Sequence, residues 1–181
     1  AEGQGQGQGQ EDRSCRSRAG RQSRLARILF VGQAPGPKSI GSIPFEGSYS
    51  GRRLASLMGV SIQSLFIEFD FLNLLDKFPG KDDSNHPRGD AFPLSAARKA
   101  ARQVTPTLRA RRVVLLGRNV ADAFEIDLPW LEWRRRYVAD SGVILHSVAV
   151  CPHPSGVSHW WNNRENRIKA EAFFRSAPFL K

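Results

Sequence analysis

"ILFVGQAPGPKSI", residues 28–40, is the stretch on which the reading of this chain turns. Four apolar residues, Ile28-Leu29-Phe30-Val31, stop at Gly32, and Gln33, Ala34, Pro35, Gly36 and Pro37 follow. Two prolines and two glycines within six residues can neither continue a strand nor fill a helix. The stretch therefore reads as a buried strand that ends abruptly in a rigid loop, with Gln33 as the polar side chain at its mouth.

Working outward, three more apolar runs share this form. "RILFVG" (27–32) is joined by "IEFDFLNLL" (67–75), "RVVLLG" (112–117) and "VILHSVAV" (143–150). Each is rich in Val, Ile, Leu or Phe and ends in Gly, Pro or polar residues, the pattern of strands buried on both faces. Helical segments are expected between them. Gly51–Val60 puts Leu54, Leu57 and Met58 on one face. Pro93–Val104 is rich in Ala and Arg, Asn119–Phe124 is short, and Asn162–Ser176 carries a stripe of Ile168, Ala172 and Phe173. Strands alternating with helices predict a three-layer α/β/α domain around a four-stranded, mostly parallel sheet.

Composition sets the outer limits. A chain of 181 residues, 40% of them hydrophobic, is the size of one domain with a real core. No run approaches the roughly 18–20 apolar residues of a membrane span, and the polar start has no signal-peptide character. Residues 1–20, with their GQ repeat, read as a disordered tail or a cloning remnant, leaving 21–181 as the folded domain and Arg21–Arg27 as a short helical lead-in. Cys15 and Cys151 are the only cysteines, too few for a disulfide framework or a four-cysteine metal site. A reducing, cytoplasmic setting is expected. Net charge is +10; residues 1–27 hold six arginines and three acids, so the rest keeps +7. A domain basic in its own right points to a polyanion, with nucleic acid first.

In parallel α/β sheets, ligands bind beyond the carboxyl ends of the strands. That rule selects "GQAPG" (32–36), Asn73 with "DKFPG" (76–80), "GRN" (117–119) and "CPHPSG" (151–156). Taken with "IPFEG" (43–47) and "FLNLLDKFP" (71–79), the motifs GQAPG and HPSG (153–156) resemble the signature of the uracil-DNA glycosylase superfamily in order and spacing. The resemblance covers about residues 27–176 and is nearest in style to branches whose first motif, G-x-x-P-G, is followed by P-F-x-G. Some of those branches carry an iron–sulfur cluster on four cysteines, which this chain cannot supply.

The resemblance implies a four-stranded sheet flanked by helices, and hydrolysis of the bond between a damaged base, usually uracil, and deoxyribose. It implies DNA as partner, no metal or other cofactor, and action as a monomer. Phe45 is then the stacking platform for the flipped base. Asn73 reads its edge, since a carboxamide offers a donor and an acceptor side by side. His153 donates to the base oxygen as negative charge builds. Gln33 orients the attacking water, with Gly32 and Ala34 beside the base. Ser155 and the Gly156 amide grip a flanking phosphate. Val157 stands where relatives carry a wedge and is short for that task, while Arg52, Arg53 and Arg118 are phosphate candidates.

One departure bears on the chemistry. The well-known branch places an aspartate after the glutamine, where this chain has Ala34, and glutamine is a poor base. Glu46, Asp76, Asp82 and Asp83 are the nearby carboxylates, each better read as surface charge. His86 lies in the loop where one branch carries a histidine that traps the abasic sugar, but the local sequence differs. Of Trp160 and Trp161, one is expected in the core. Trp130 and Trp133 with Arg134–Arg136 fit either a DNA-backbone contact or a solvated edge. The rival to catalysis is a DNA- or abasic-site-binding protein that kept the pocket.

Overall fold

The structure is a computed structural model that describes residues 27–37, 43–81, 91–108, 111–138, 143–156, 158–176 and 179. The predicted tail, the lead-in before Arg27, and Asp82, Asp83, His86 and Val157 lie outside the described residues. Five strands, β1 (Leu29–Gly32), β2 (Asp70–Asn73), β3 (Arg112–Leu116), β4 (Arg134–Val138) and β5 (Val143–Cys151), form one sheet in the order β2-β1-β3-β5-β4. The first four in that order run parallel, and β4 pairs antiparallel with β5.

Both faces of the sheet are covered. On β1, Leu29 and Val31 join one core cluster while Phe30, with Ile28 just before the strand, joins the other; none is more than 5% exposed. β3 divides in the same way, Val113 and Leu115 against Val114 and Leu116. Helices α3 (Leu94–Leu108) and α4 (Arg118–Ala123) cover the first face. Helices α1 (Tyr49–Met58), α2 (Ile62–Glu68) and α5 (Arg164–Phe174) cover the second. Two-sided burial explains why these strands are unbroken apolar runs.

The helices follow from local chemistry. Ser48 caps α1 by accepting from the Gly51 amide at 3.0 Å, and Gly59 closes it in the left-handed conformation, φ 69°. Leu54, Leu57 and Met58 are buried on one face, as their spacing predicts. In α3 the inward residues are Ala97, Ala101, Thr105 and Leu108; the Thr105 hydroxyl donates to the Ala101 carbonyl at 2.6 Å. That helix outruns its predicted end at Val104 and carries Pro106 in its last turn.

Four expectations need correction. The sheet has five strands rather than four, because the arginine-rich β4, with Arg134 and Arg135 exposed, adds an edge. The run 67–75 is not one strand. Ser61 caps α2 through the Ser64 amide, and the helix consumes Ile67 and Glu68 before β2 begins at Asp70. The short helix spans Arg118–Ala123 rather than 119–124. The helix predicted from Asn162 to Ser176 runs only from Arg164 to Phe174: Asn162 closes a 3-10 turn (His159–Asn162), and Asn163 caps α5. Its inward residues are Ala170, Phe173 and Phe174, whereas Ile168 is 56% exposed and Ala172 also faces solvent. The Phe174 ring lies 6.2 Å from Phe30, and Trp133 stacks on Phe173 at 5.7 Å; those rings set the helix register.

Candidate active site

Strand register brings the site together. Gly32 of β1 pairs with Asn73 of β2, and Leu116 of β3 pairs with Cys151 of β5. Past the strand ends, the Leu74 amide donates to Gly32 and the Leu75 amide to Gln33, so Gln33 travels alongside Asn73. The Gly117 amide likewise donates to the Cys151 carbonyl at 2.7 Å. From β1 the chain crosses to β2 on one side, and from β3 it proceeds toward β5 on the other. The loops therefore diverge between β1 and β3 and leave a crevice, the switch point of an open sheet.

A cleft of about 420 Å³ occupies that place. Gln33, Ala34, Phe45, Asn73, His153 and Ser155 all line it. Its size falls within the range of about 300–1,000 Å³ common for small-molecule sites.

Gly32 makes the geometry possible. A Cβ there would lie 2.5 Å from Cζ of Phe45 and 2.7 Å from Oδ1 of Asn73. The missing side chain is the space in which ring and carboxamide meet. Phe45 sits at φ 69°, a conformation uncommon for a residue other than glycine. Its carbonyl holds the loop, accepting from both the Ser48 amide (3.1 Å) and the Ser48 hydroxyl (2.7 Å). Gly51 permits this, because a Cβ there would stand 2.4 Å from the same oxygen. The half-buried Phe45 ring rests near Phe71 at 5.8 Å and near the His153 ring at 6.2 Å. Strained backbone over-determined by its surroundings is a mark of functional sites.

Asn73 stands at the end of β2 with its Oδ1 buried and, among the described residues, without a hydrogen bond. A buried carbonyl oxygen left unmatched costs about 1–3 kcal/mol, so this acceptor is suited to a ligand's donor. Opposite it, a Cβ on Gly117 (φ 102°) would meet His153 Cβ at 3.3 Å and Gln33 Nε2 at 3.5 Å. Gln33 and His153 thus flank one glycine.

His153 is fixed from two directions. The Trp161 indole N–H donates to its carbonyl at 2.7 Å, and the Ser155 amide donates to its Nδ1 at 3.3 Å. With Nδ1 accepting, the neutral ring carries its proton on Nε2. Next to it, burial pushes the Cys151 thiol far above its usual range, which keeps it protonated and unreactive.

The remaining candidates divide. Arg53 donates to the Ser155 carbonyl at 3.0 Å and to the Tyr49 hydroxyl at 2.7 Å, bracing the HPSG loop. Arg52 is exposed and donates to Gly47. Gly156 is exposed beside Tyr49. Arg118 is drawn away from the cleft: it pairs with Asp127 at 3.2 Å and lies 4.5 Å over the Trp130 ring. Its neighbour Asn119 lines the cleft instead. Glu46 and Asp76 are exposed and do not line it. Trp161 is the tryptophan taken into the core, with Trp160 packed edge-on to it at 4.7 Å. Trp133 belongs to the core aromatics, whereas Arg134 and Arg135 are exposed on the edge strand.

Sequence reasoning missed Ser48, Ser50, Phe78 and Lys81 as lining residues. Phe78 was signalled by the strand-end rule that picked out "DKFPG". The two serines enter only because the Phe45 loop folds back onto α1.

The chain belongs to the uracil DNA glycosylase superfamily, whose family model matches residues 20–176. A search of curated proteins finds no match. Membership makes this a protein of the DNA glycosylase type, with DNA as its partner and base removal in DNA repair as its class of activity. Among the described residues, no helix is long and apolar enough to cross a membrane.

Proposed function

We propose that the chain is a monofunctional uracil-DNA glycosylase, which hydrolyses the N-glycosidic bond of uracil in DNA and leaves an abasic site. The observation that carries this reading is the convergence of Gln33, Phe45, Asn73 and His153 on one cleft. A base inside a duplex is out of reach, so the nucleotide is extruded or begins single-stranded. The Phe45 ring supports its face. Oδ1 of Asn73 accepts from N3–H of uracil and its amide donates to O4; cytosine presents the opposite pattern there. As the bond from C1′ to N1 breaks, its electron pair passes to the base, and Nε2–H of His153 donates to O2. Water held by Gln33 attacks C1′ and releases its proton to solvent. Ser155 and the Gly156 amide hold the flanking phosphate.

His153→Ala and Asn73→Ala should each slow uracil release by about 100-fold or more, the scale of a lost transition-state donor. The assay is single-turnover release from a uracil-containing oligonucleotide. Parental rates in both variants would refute these roles. Asn73→Asp should lose uracil selectivity; its retention would contradict the edge contact.

A second reading is favoured by one observation: no Asp or Glu is among the described residues that line the cleft. On that reading the protein binds DNA or abasic sites and turns over weakly. The same assay separates the two, since DNA retained without base release supports the second.

A further inference from the structure

The cleft does not end the basic surface. At the start of α1, its cap Ser48 and Ser50 face the cleft, whereas Tyr49, Arg52 and Arg53 face a second groove of about 380 Å³. Its far wall is α5, through Arg167 and Glu171, and Trp161 contributes to its lining. Groove and cleft adjoin at the HPSG loop. The Arg53 guanidinium reaches the Ser155 carbonyl, and a Cβ on Gly156 would lie 3.7 Å from the Tyr49 ring.

Charge and rings specify what fits. Three guanidiniums face one carboxylate, that of Glu171. Arg53 is committed to Ser155 and Tyr49. Arg52 and Arg167 make no ion pair among the described residues, in contrast to Arg118, which Asp127 holds. Arg52 spends one donor on the Gly47 carbonyl, and guanidiniums with donors left over and no carboxylate partner suit phosphate. Tyr49 is 53% exposed although large and aromatic, and Arg53 lies 4.8 Å over its ring. Aromatic rings interleaved with arginines are the chemistry of a single-stranded nucleic-acid track.

We infer that this groove seats the DNA strand on one side of the extruded nucleotide, with a base against Tyr49 and a phosphate between Arg52 and Arg167. The inference rests on the glycosylase reading for which nucleotide enters the cleft. It adds a flank subsite that the base-removing residues do not provide. A strand leaving the cleft at Ser155 and Gly156 meets this groove first, so the two act as one continuous path.

The test is fluorescence-anisotropy binding to single-stranded oligonucleotides carrying a tetrahydrofuran abasic analogue, extended on the 5′ side only or on the 3′ side only. Tyr49→Ala and Arg167→Ala should each weaken binding about tenfold for one of the two extensions and leave the other unchanged. Arg167→Ala should also lower the salt slope for that extension by about 1. Arg112→Ala, at the opposite end of β3, is the charge-matched control and should show no side preference. Uracil release at saturating DNA should stay parental in both groove variants. The inference is overturned if both bind the two extensions as the parent does, or lose affinity equally for both. Binding is read apart from base release. Flank-dependent losses in a parent that releases no uracil would sink the glycosylase reading and keep the groove. Uracil release with no flank effect would do the reverse.

Discussion

Replacing Gly32 by alanine asks the most of the proposed site for the least change in chemistry. The new methyl carbon would stand 2.5 Å and 2.9 Å from Cζ and Cε2 of Phe45 and 2.7 Å from Oδ1 of Asn73. Carbon atoms in contact prefer about 3.5–4.0 Å, so ring and carboxamide must each retreat by about 1 Å. The ring cannot do so freely, since Phe71 and His153 lie on its flanks. Overpacking of this kind costs about 1–3 kcal/mol, and the open cleft on the far side favours the lower end. Function should suffer more. A displacement of about 1 Å at a positioned group can cost about 100-fold in rate. Gly32→Ala should therefore unfold in urea within about 1–2 kcal/mol of the parent, yet release uracil about 100-fold more slowly in single turnover. A parental rate in a folded variant would refute the claim that Phe45 and Asn73 act together on the base.

Three further outcomes are expected. Trp161→Phe keeps most of the buried volume but removes the donor to the His153 carbonyl; stability should fall by about 1 kcal/mol and base release by about tenfold, read by urea unfolding and single turnover. Ala34→Asp would put a carboxylate beside Gln33 to activate water, so base release should accelerate where that carboxylate is ionised, above about pH 4 for an ordinary Asp, and lose the gain as it protonates; a flat pH–rate profile equal to the parent's would contradict the placement of water at Gln33. Cys151, buried and kept protonated, should resist iodoacetamide in the native protein and react in urea, as followed by mass spectrometry.

How far the sequence revealed this arrangement depended on burial. β1, Val113–Leu116 of β3 and Val148–Cys151 of β5 were legible because water touches neither face there, and apolar side chains fill them. β4 was not: three consecutive arginines give no apolar signal, and an edge strand tolerates them because its pairing comes from backbone. Ile67 misled for a related reason. It is β-branched and beside Phe66 and Phe69, but the cap at Ser61 and the burial of Leu65 decided for a helix that leaves Ile67 66% exposed. Gly/Pro-rich loops made the cleft legible, since few other sequences end strands so abruptly. The left-handed turn at Phe45 was not, because a phenylalanine carries no warning of positive φ. Nor was the groove beside α1, whose walls lie far apart in the chain and meet only after packing.

The lining side chains explain how such a site can favour a polymer over a free nucleoside. On the proposed reading, Gln33, Asn73 and His153 approach the base as neutral dipoles, and no carboxylate among the described lining residues balances the positive charge that grows on the sugar. The negative end of the transition state has its donors in Nε2–H of His153 and the amide of Asn73. The positive end must find its counter-charge elsewhere, and the nearest anions are the phosphates on either side of the extruded nucleotide. DNA brings them; a nucleoside does not. Holding those phosphates in fixed positions through Ser155 and the Gly156 amide would then do more than add affinity. It would set part of the field in which the bond breaks, with the backbone of the substrate taking the place of a lining carboxylate.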